Sequence, residues 1–320
     1  MTSTAVSVVV VNWNGHADTM ICLESLMAAD PRPARVAVVD NGSTDRSVET
    51  LLRWRANRAL PVALLASSTN RGFSAANNIG IARLAADRAI SHFLLLNNDA
   101  SVHPAFFAQL ARALVAAPDA AVIGPTIYVT GRPGEVWYAG GYVVPLRALV
   151  AHEYVVPQHS VPVPTQFVTG CAMVISRSGW ETLGPLPECY FMYLEDAEYS
   201  YRARAAGLPV VYAPQAVAYH AVGNTIRFSH STPWVERLKA RNRVLFVRRN
   251  FRGWNRWSAL TYLAVTKPGR AAAEVLRGRP ALGWAILDGT IEGLLSSHGD
   301  REARQAATVQ DPADRVLVYE

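Results

Sequence analysis

Residues 91–104 read SHFLLLNNDASVHP, an apolar run that stops at Asn97, Asn98 and Asp99. A turn is the plain reading, since Asn and Asp tolerate unusual backbone angles and bond their own backbone. The chemical reading is a strand end that offers a carboxylate to a divalent cation, because Mg2+ or Mn2+ is commonly held by one or two carboxylates together with substrate oxygens. A second acidic site follows the aromatic stretch CYFMY, where Glu195-Asp196 opens a helical pattern, AEYSYRARAAG, that Gly207 stops. The amino end of a helix favours an ionised carboxylate, which suits one of the pair to act as a base. Glu198 and Arg202, four apart in the favourable order, read as an ion pair on that helix. Asp40 follows the run VAVV. An ionised carboxylate only accepts hydrogen bonds, so Asp40 can take the ring N3–H of uracil or thymine and cannot pair with unprotonated cytosine N3. The alternative is a turn, DNGSTD, with Asp45 capping the next helix.

These residues need a scaffold that gathers them. Apolar runs alternate with helical patterns through the first 125 residues, the signature of a mainly parallel sheet covered by helices. Strands are expected near 5–12, 35–40, 61–66, 92–97 and 120–124, with helices near 16–29, 46–58, 73–88 and 103–117. In such a sheet the ligand crevice lies beyond the carboxyl ends of the strands, and those ends carry Asn12, Asn14, Asp40, Asn41 and Asn97 to Asp99. No G-x-G-x-x-G follows the first strand and no G-x-x-x-x-G-K-[ST] occurs, so neither the dinucleotide fingerprint nor the P-loop holds phosphate here. A cation at Asp99 is the remaining means.

At 320 residues the chain suits one enlarged α/β domain with a helical addition as well as two domains. Cys22, Cys171 and Cys189 have no metal-ligand spacing and are odd in number, which points to free thiols and a reducing, cytoplasmic setting. The opening MTSTAVSVVVVNWNG lacks a basic leader region and reads as a strand, and no apolar run is long enough to span a bilayer. Charge is concentrated: eight cations and no acids lie between Arg237 and Arg256, against +6 for the whole chain. Aromatic and aliphatic residues run through this window to Trp257. It suits a helix on an anionic membrane surface, or a docking helix with a basic face. No signature of a nucleic-acid-binding module accompanies it, so nucleic acid is not expected.

Six stretches occur in an order that resembles a known family: VVVVNWNG (8–15), VVDNGSTD (38–45), NRGFSAANNIG (70–80), LLLNNDA (94–100), GPLPECYFMYLEDAEYSYRARAAG (184–207) and YAPQAVAYH (212–220). The chain resembles inverting glycosyltransferases of family 2, most of all rhamnosyltransferase-like bacterial members that build cell-surface polysaccharide. The resemblance implies the GT-A fold, an α/β nucleotide-diphospho-sugar transferase domain over 1–230. Within it 1–125 would bind the nucleotide sugar and 126–230 the acceptor, with a basic, aromatic helical extension over 231–320. It implies Asp196 as catalytic base with Glu195 as its supporting neighbour. Val11, Asn12, Asp40, Asn70, Gly72, Asn77, Asn98 and Asp99 would meet the donor nucleotide. Gly170 and Cys171 would lie beside the acceptor, Cys171 as small packing. Asn77 or its neighbour Asn78 is expected to face ligand, because Asn is a poor helix former in the first turns of a helix. The family's metal motif has two aspartates flanking one residue, and here Asn97 stands for the first, so Mg2+ or Mn2+ would rest on Asp99 and on His220, which matches a metal-binding histidine of related enzymes.

The implied reaction moves a sugar, rhamnose by resemblance, from a UDP- or dTDP-sugar to an acceptor hydroxyl with inversion. The acceptor would be a saccharide, with a polyprenyl-linked one placing the enzyme peripherally at the inner face of the cytoplasmic membrane. Homo-oligomerisation stays open. A glycosidase would need a protonated acid for its leaving group and has no use for a base-reading Asp40. A sugar nucleotidyltransferase would need a glycine-rich, basic loop after the first strand, and NWNGHADTM is neither. A non-catalytic membrane-surface partner with a degenerate site draws on Asn97, and Asp196 with His220 speak against it.

Overall fold

Val6–Asn12 form strand β1, whose β-branched side chains are buried on both faces, as a central strand covered on both sides requires. The computed structural model describes residues 5–56, 58, 60–158, 160–221, 232–296 and 316–319. After β1 come α1 (His16–Ala28), β2 (Val36–Asn41), α2 (Ser47–Arg55), β3 (Val62–Ser67), α3 (Phe73–Ala85), β4 (His92–Asn97), the short β5 (Ala100–Val102) and α4 (Phe106–Ala116). This is the alternation expected from the sequence, with ends shifted by a few residues. β6 (Val122–Val129), β7 (Val136–Tyr138), β8 (Gly141–Val144), β9 (Leu149–His152), β10 (Val163–Pro164), β11 (Ala172–Ser176), α5 (Arg177–Leu183), α6 (Glu195–Ala205) and β12 (Val210–His220) follow.

The main sheet runs β10-β12-β6-β11-β4-β1-β2-β3-β13, where β13 is Leu317–Tyr319. Strands β3, β2, β1 and β4 are parallel, while β11 enters antiparallel between β4 and β6. The N-terminal half of the sheet is therefore parallel and the sheet as a whole is mixed. Side chains alternate across it: Val8, Val10, Leu94 and Leu96 enter one core, Val9, Phe93 and Leu95 the other. Two register facts position chemistry. Asn12 lies opposite Asp40. His220, at the end of β12, lies opposite Ala100 of β5, which brings His220 next to Asp99.

Among the described residues three helices lie between β12 and β13: α7 (Pro233–Asn250), α8 (Gly253–Leu276) and α9 (Pro280–Leu295). Thr232 caps α7 by accepting from the Val235 N–H at 3.3 Å, with Pro233 in the first turn. Val244, Leu245, Phe246 and Val247 of α7 are buried in the same core as Val8 and Leu96. Of the two readings of 237–257, the docking helix is the one that fits α7. Arg241, Arg243, Arg248 and Arg249 bond protein carbonyls or carboxylates, and of the window's large hydrophobic side chains Trp254 and Trp257, already on α8, stand exposed. Helix α9 approaches α7 through Gly289, where a Cβ would come 2.1 Å from the Arg237 carbonyl oxygen. The extension is not helical throughout, since β13 returns to pair antiparallel with β3 at the sheet edge. Among the described residues no helix is long and apolar enough to cross a membrane.

Candidate active site

The acidic pair opens α6 after a loop of unusual shape. Phe191, Tyr193 and Leu194 have φ of 65°, 74° and 74°, a region that side-chain-bearing residues avoid. The loop delivers Asp196 to the backbone of the segment before β11, where Oδ2 accepts the Gly170 N–H at 2.8 Å while Oδ1 accepts the Ala197 N–H at 2.7 Å. A Cβ on Gly170 would lie 3.0 Å from the Phe73 ring and 3.5 Å from Asp196 Cβ, so its bare backbone permits the close approach. Glu195 is 5% exposed, and its Oε2 has no hydrogen-bond partner among the described residues. Burial pushes the Asp196 carboxyl up to about 6, against the Gly170 and Ala197 N–H groups that favour its ionised form. Glu195 rises well above the usual carboxylate range, from burial first and then from the charge of Asp196. Desolvation thus outweighs the helix-end effect expected from the sequence. Of the two carboxyls, Asp196 is the one whose ionised form is held by backbone N–H groups.

Helix α7 holds this loop in place. Asn242 is fully buried, and its Nδ2 donates to the carbonyls of Tyr190, Met192 and Tyr193 at 3.0, 2.7 and 3.0 Å. Two N–H bonds serve three acceptors, so one is shared. Arg241 adds a bond to the Cys189 carbonyl at 3.0 Å, Lys239 stands over the Tyr193 ring, and Trp234 packs edge-on against Phe191. One turn into α6, Glu198 is 1% exposed and accepts from both Arg249 Nε and Nη2, from Asn250 Nδ2 and from the Tyr190 hydroxyl. The ion pair expected with Arg202 does not form: Arg202 turns to the carbonyls of Leu183 and Pro185, because burial of Glu198 requires a partner that comes from the core side.

Asp99 and His220 meet as the strand register requires. Asp99 Oδ1 and His220 Nε2 are 3.2 Å apart, their side chains 9% and 13% exposed, and the His220 ring stands edge-on to Trp137 at 4.5 Å. Among the described residues no cluster of three or more His, Cys, Asp or Glu could enclose a metal. One carboxylate and one imidazole still fit a cation that takes its other ligands from diphosphate and water. The field of Asp99 reaches its surroundings: with burial as the larger cause, it raises the carboxyl of Asp18 and the thiols of Cys22 and Cys171. Cys171 is buried and feels the charges of both Asp99 and Asp196, and its carbonyl accepts the Asn97 N–H at 2.9 Å.

The donor-side residues form a connected floor. Asn98 Nδ2 donates to Thr19 Oγ1 at 3.2 Å, Thr19 to Asn12 Oδ1 at 2.7 Å, and Asn12 Nδ2 to Asp40 Oδ2 at 2.7 Å. Asp40 also accepts the Ser43 N–H at 3.0 Å and the Ser43 hydroxyl at 2.6 Å, and it is 1% exposed. Its carboxylate thus helps to shape the floor, and Oδ1, which among the described residues takes the Ser43 N–H alone, has acceptor capacity beyond it. Val11 is half-buried beside it on β1. Asn70 Oδ1 accepts from Asn41 Nδ2 at 2.9 Å and from the Gly72 N–H at 3.0 Å. Gly72 has φ of 86°, and a Cβ there would come 2.4 Å from the Phe191 carbonyl oxygen, which also accepts the Phe73 N–H at 2.6 Å. The NRG turn therefore abuts the loop that carries Asp196. Asn77 and Asn78 are both buried with engaged amides, Asn77 on the Phe73 carbonyl and Asn78 on Leu186 and Glu188, so neither takes the ligand-facing role expected of one of them. Thr19, Ser43, Asn242 and Arg249 were not singled out from sequence. Asn242, a poor helix former between two arginines on an apolar helix, was the one visible signal.

Residues 7–184 match the model of glycosyl transferase family 2. An N-acetylglucosaminyl-diphospho-decaprenol L-rhamnosyltransferase of Mycobacterium tuberculosis is 28% identical over 221 residues, which is 62% of this chain and 70% of that protein. A low-salt glycan biosynthesis hexosyltransferase of Haloferax volcanii is 27% identical over 213 residues, 64% of this chain and 63% of that one. Among solved structures, a mannosyltransferase from Pyrobaculum calidifontis in complex with GDP-Man and Mn2+ aligns with a TM-score of 0.56 at 17% identity, covering 91% of this chain and 87% of that one. TarS 1–349 of S. aureus in complex with UDP-GlcNAc aligns with a TM-score of 0.56 at 16% identity, covering 89% and 80%. At these identities the structural likeness speaks for the fold.

The buried pair has a thermodynamic signature. Asp196 holds its proton more tightly folded than unfolded, so this contribution to stability is full below the unfolded value of 3.8 and is lost as pH rises through about 6. Wild type should lose stability relative to Asp196→Asn between pH 4 and pH 8, by up to about 3 kcal/mol. Denaturant melts of both proteins across that range check this; parallel curves would contradict the buried, raised carboxyl.

Proposed function

Because the chain belongs to glycosyl transferase family 2, we propose that it moves a hexose, rhamnose by likeness to the mycobacterial relative, from a nucleoside-diphosphate sugar to an acceptor hydroxyl with inversion. The observation that carries the reading is Asp196, a buried carboxylate fixed by the Gly170 and Ala197 N–H groups and pushed up to about 6. A base is most effective with its proton affinity near the working pH. Asp196 takes the acceptor proton while the oxygen attacks the anomeric carbon on the face opposite the diphosphate. Burial and the charge of Asp196 raise the proton affinity of Glu195, which favours negative charge on Asp196 within the pair.

Asp99 and His220 are the residues that would hold Mg2+ or Mn2+, which when bound neutralises the diphosphate leaving group as a Lewis acid. The floor from Asn98 through Thr19 and Asn12 to Asp40 fixes the strand ends against which the diphosphate lies, and Gly72 keeps the NRG turn against Phe191. A UDP- or dTDP-sugar is the proposed donor on the resemblance of VVDNGSTD, in which Asp40 would accept the base N3–H. The acceptor class that the mycobacterial relative's name suggests is a saccharide on a polyprenyl diphosphate. Such an acceptor would hold the enzyme peripherally at the inner face of the cytoplasmic membrane, in cell-surface glycan assembly.

The direct test measures transfer from radiolabelled UDP- and dTDP-sugars to a lipid-linked saccharide. Asp196→Asn should lower kcat by about 10²- to 10⁴-fold and leave donor affinity within a few-fold. A loss under tenfold would remove Asp196 as the base. A chelator should abolish transfer, added Mg2+ or Mn2+ should restore it, and Asp99→Ala should abolish diphosphate-dependent cation binding by calorimetry. Full transfer in excess chelator would overturn the cation assignment for Asp99 and His220 together.

A further inference from the structure

Helix α8 leaves large apolar side chains in the open. Trp254 is 78% exposed, Trp257 67%, Val265 71% and Leu276 88%. At 3.6 residues per turn these four share one side with Pro268 and Ala272. The opposite side carries the helix's charges: Lys267 and Glu274 are buried, and Arg270 donates to the buried Glu236 of α7 at 2.8 Å. The face turned to the protein buries Ala259, Leu263 and Ala271 together with these charges, while the free face holds tryptophans and aliphatics where an ordinary surface helix is polar. A contiguous exposed apolar stripe marks an interaction surface.

Charge identifies the occupant. Residues 233–296 carry twelve cations against four acids, while the whole chain nets +6, so the positive charge is concentrated in these three helices. Arg252 precedes the stripe, and Arg277 and Arg279 follow it, both paired with Glu274. A tryptophan-bearing apolar face between cations is what a helix needs to lie at the boundary of anionic head groups and acyl chains. With 24 residues the helix is roughly 36 Å long, and it is not apolar enough to cross. We propose that α8 docks this protein in the plane of an anionic bilayer, with Trp254, Trp257, Val265 and Leu276 inserted. The proposal deepens the reading of a lipid-linked acceptor by naming the surface that meets the lipid, and rests on it only for its purpose.

The test uses the full chain and the variant Val265→Glu/Leu276→Glu, both positions being exposed and away from the acidic pair. Flotation with vesicles of equal parts phosphatidylglycerol and phosphatidylcholine should carry wild type, less so at high salt, and vesicles of phosphatidylcholine alone should carry little. The variant should bind the anionic vesicles about tenfold less or weaker still, while melting at the wild-type temperature and turning over a water-soluble acceptor analogue at the wild-type rate. Wild type that stays unbound, or a variant that floats equally well, overturns the proposal. So does a wild-type dimer in sedimentation that the variant breaks, which would give the stripe to a second copy. Absence of turnover in both proteins with flotation as expected would refute the glycosyl-transfer reading and leave the docking surface standing.

Discussion

A buried carboxylate, Glu198, ties together the parts on which the site depends. At 1% exposure its charge would cost several kcal/mol unless paired and hydrogen-bonded. Two nitrogens of Arg249, the Asn250 amide and the Tyr190 hydroxyl supply that pairing. These groups come from α6, from the loop before it and from α7, so none can drift without leaving charge unpaired in the interior. Removal of one partner of such a pair typically costs about 3–5 kcal/mol. The loop it pins contains three side-chain-bearing residues at positive φ, a conformation that survives only where the surroundings over-determine it. Asn242 supplies the rest of that determination through the carbonyls of Tyr190, Met192 and Tyr193.

From this constraint the electrostatics follow. The pinned loop turns Asp196 to the Gly170 N–H and leaves Glu195 buried beside it. The two carboxyls are pushed apart in proton affinity by their surroundings, which separates their roles. On the other side of Cys171, strand register sets Asp99 against His220. A proton-accepting carboxylate and a carboxylate–imidazole pair thus flank one buried thiol whose ionisation both charges oppose, and Cys171 packs rather than reacts. The Gly72–Phe191 contact closes the arrangement, because the turn that precedes α3 rests on the same loop that α7 holds.

Much of this was legible in sequence where local chemistry decides it. The runs VSVVVVN, VAVVDN and HFLLLN could only be covered strands, and polar strand ends in a parallel sheet point to its crevice. Glu195-Asp196 at a helix start was equally plain. What failed was partner choice at long range. Arg202 is the natural helix partner of Glu198, yet Arg249 wins from 51 residues away, because burial, not spacing, selects it. The basic, aromatic window from Arg237 has the same composition whether its apolar residues face lipid or core. Only the packing of Val244 to Val247 under the sheet assigns it to the interior and passes the exposed role to α8. Asp40 was legible as a special residue, while the bonds it accepts from Asn12 and Ser43 were not.

The central claim is that α7 shapes the catalytic loop and through it the proton affinity of Asp196. Its most direct measurement is the pH–rate profile of Asn242→Ala beside wild type, with donor affinity measured in parallel. The account predicts a wild-type acid limb near pH 6, set by Asp196, and in the variant a displaced limb with turnover lowered at least about tenfold, at unchanged donor affinity. A variant with the wild-type profile and turnover would show that the loop holds its shape without α7, and would contradict the account.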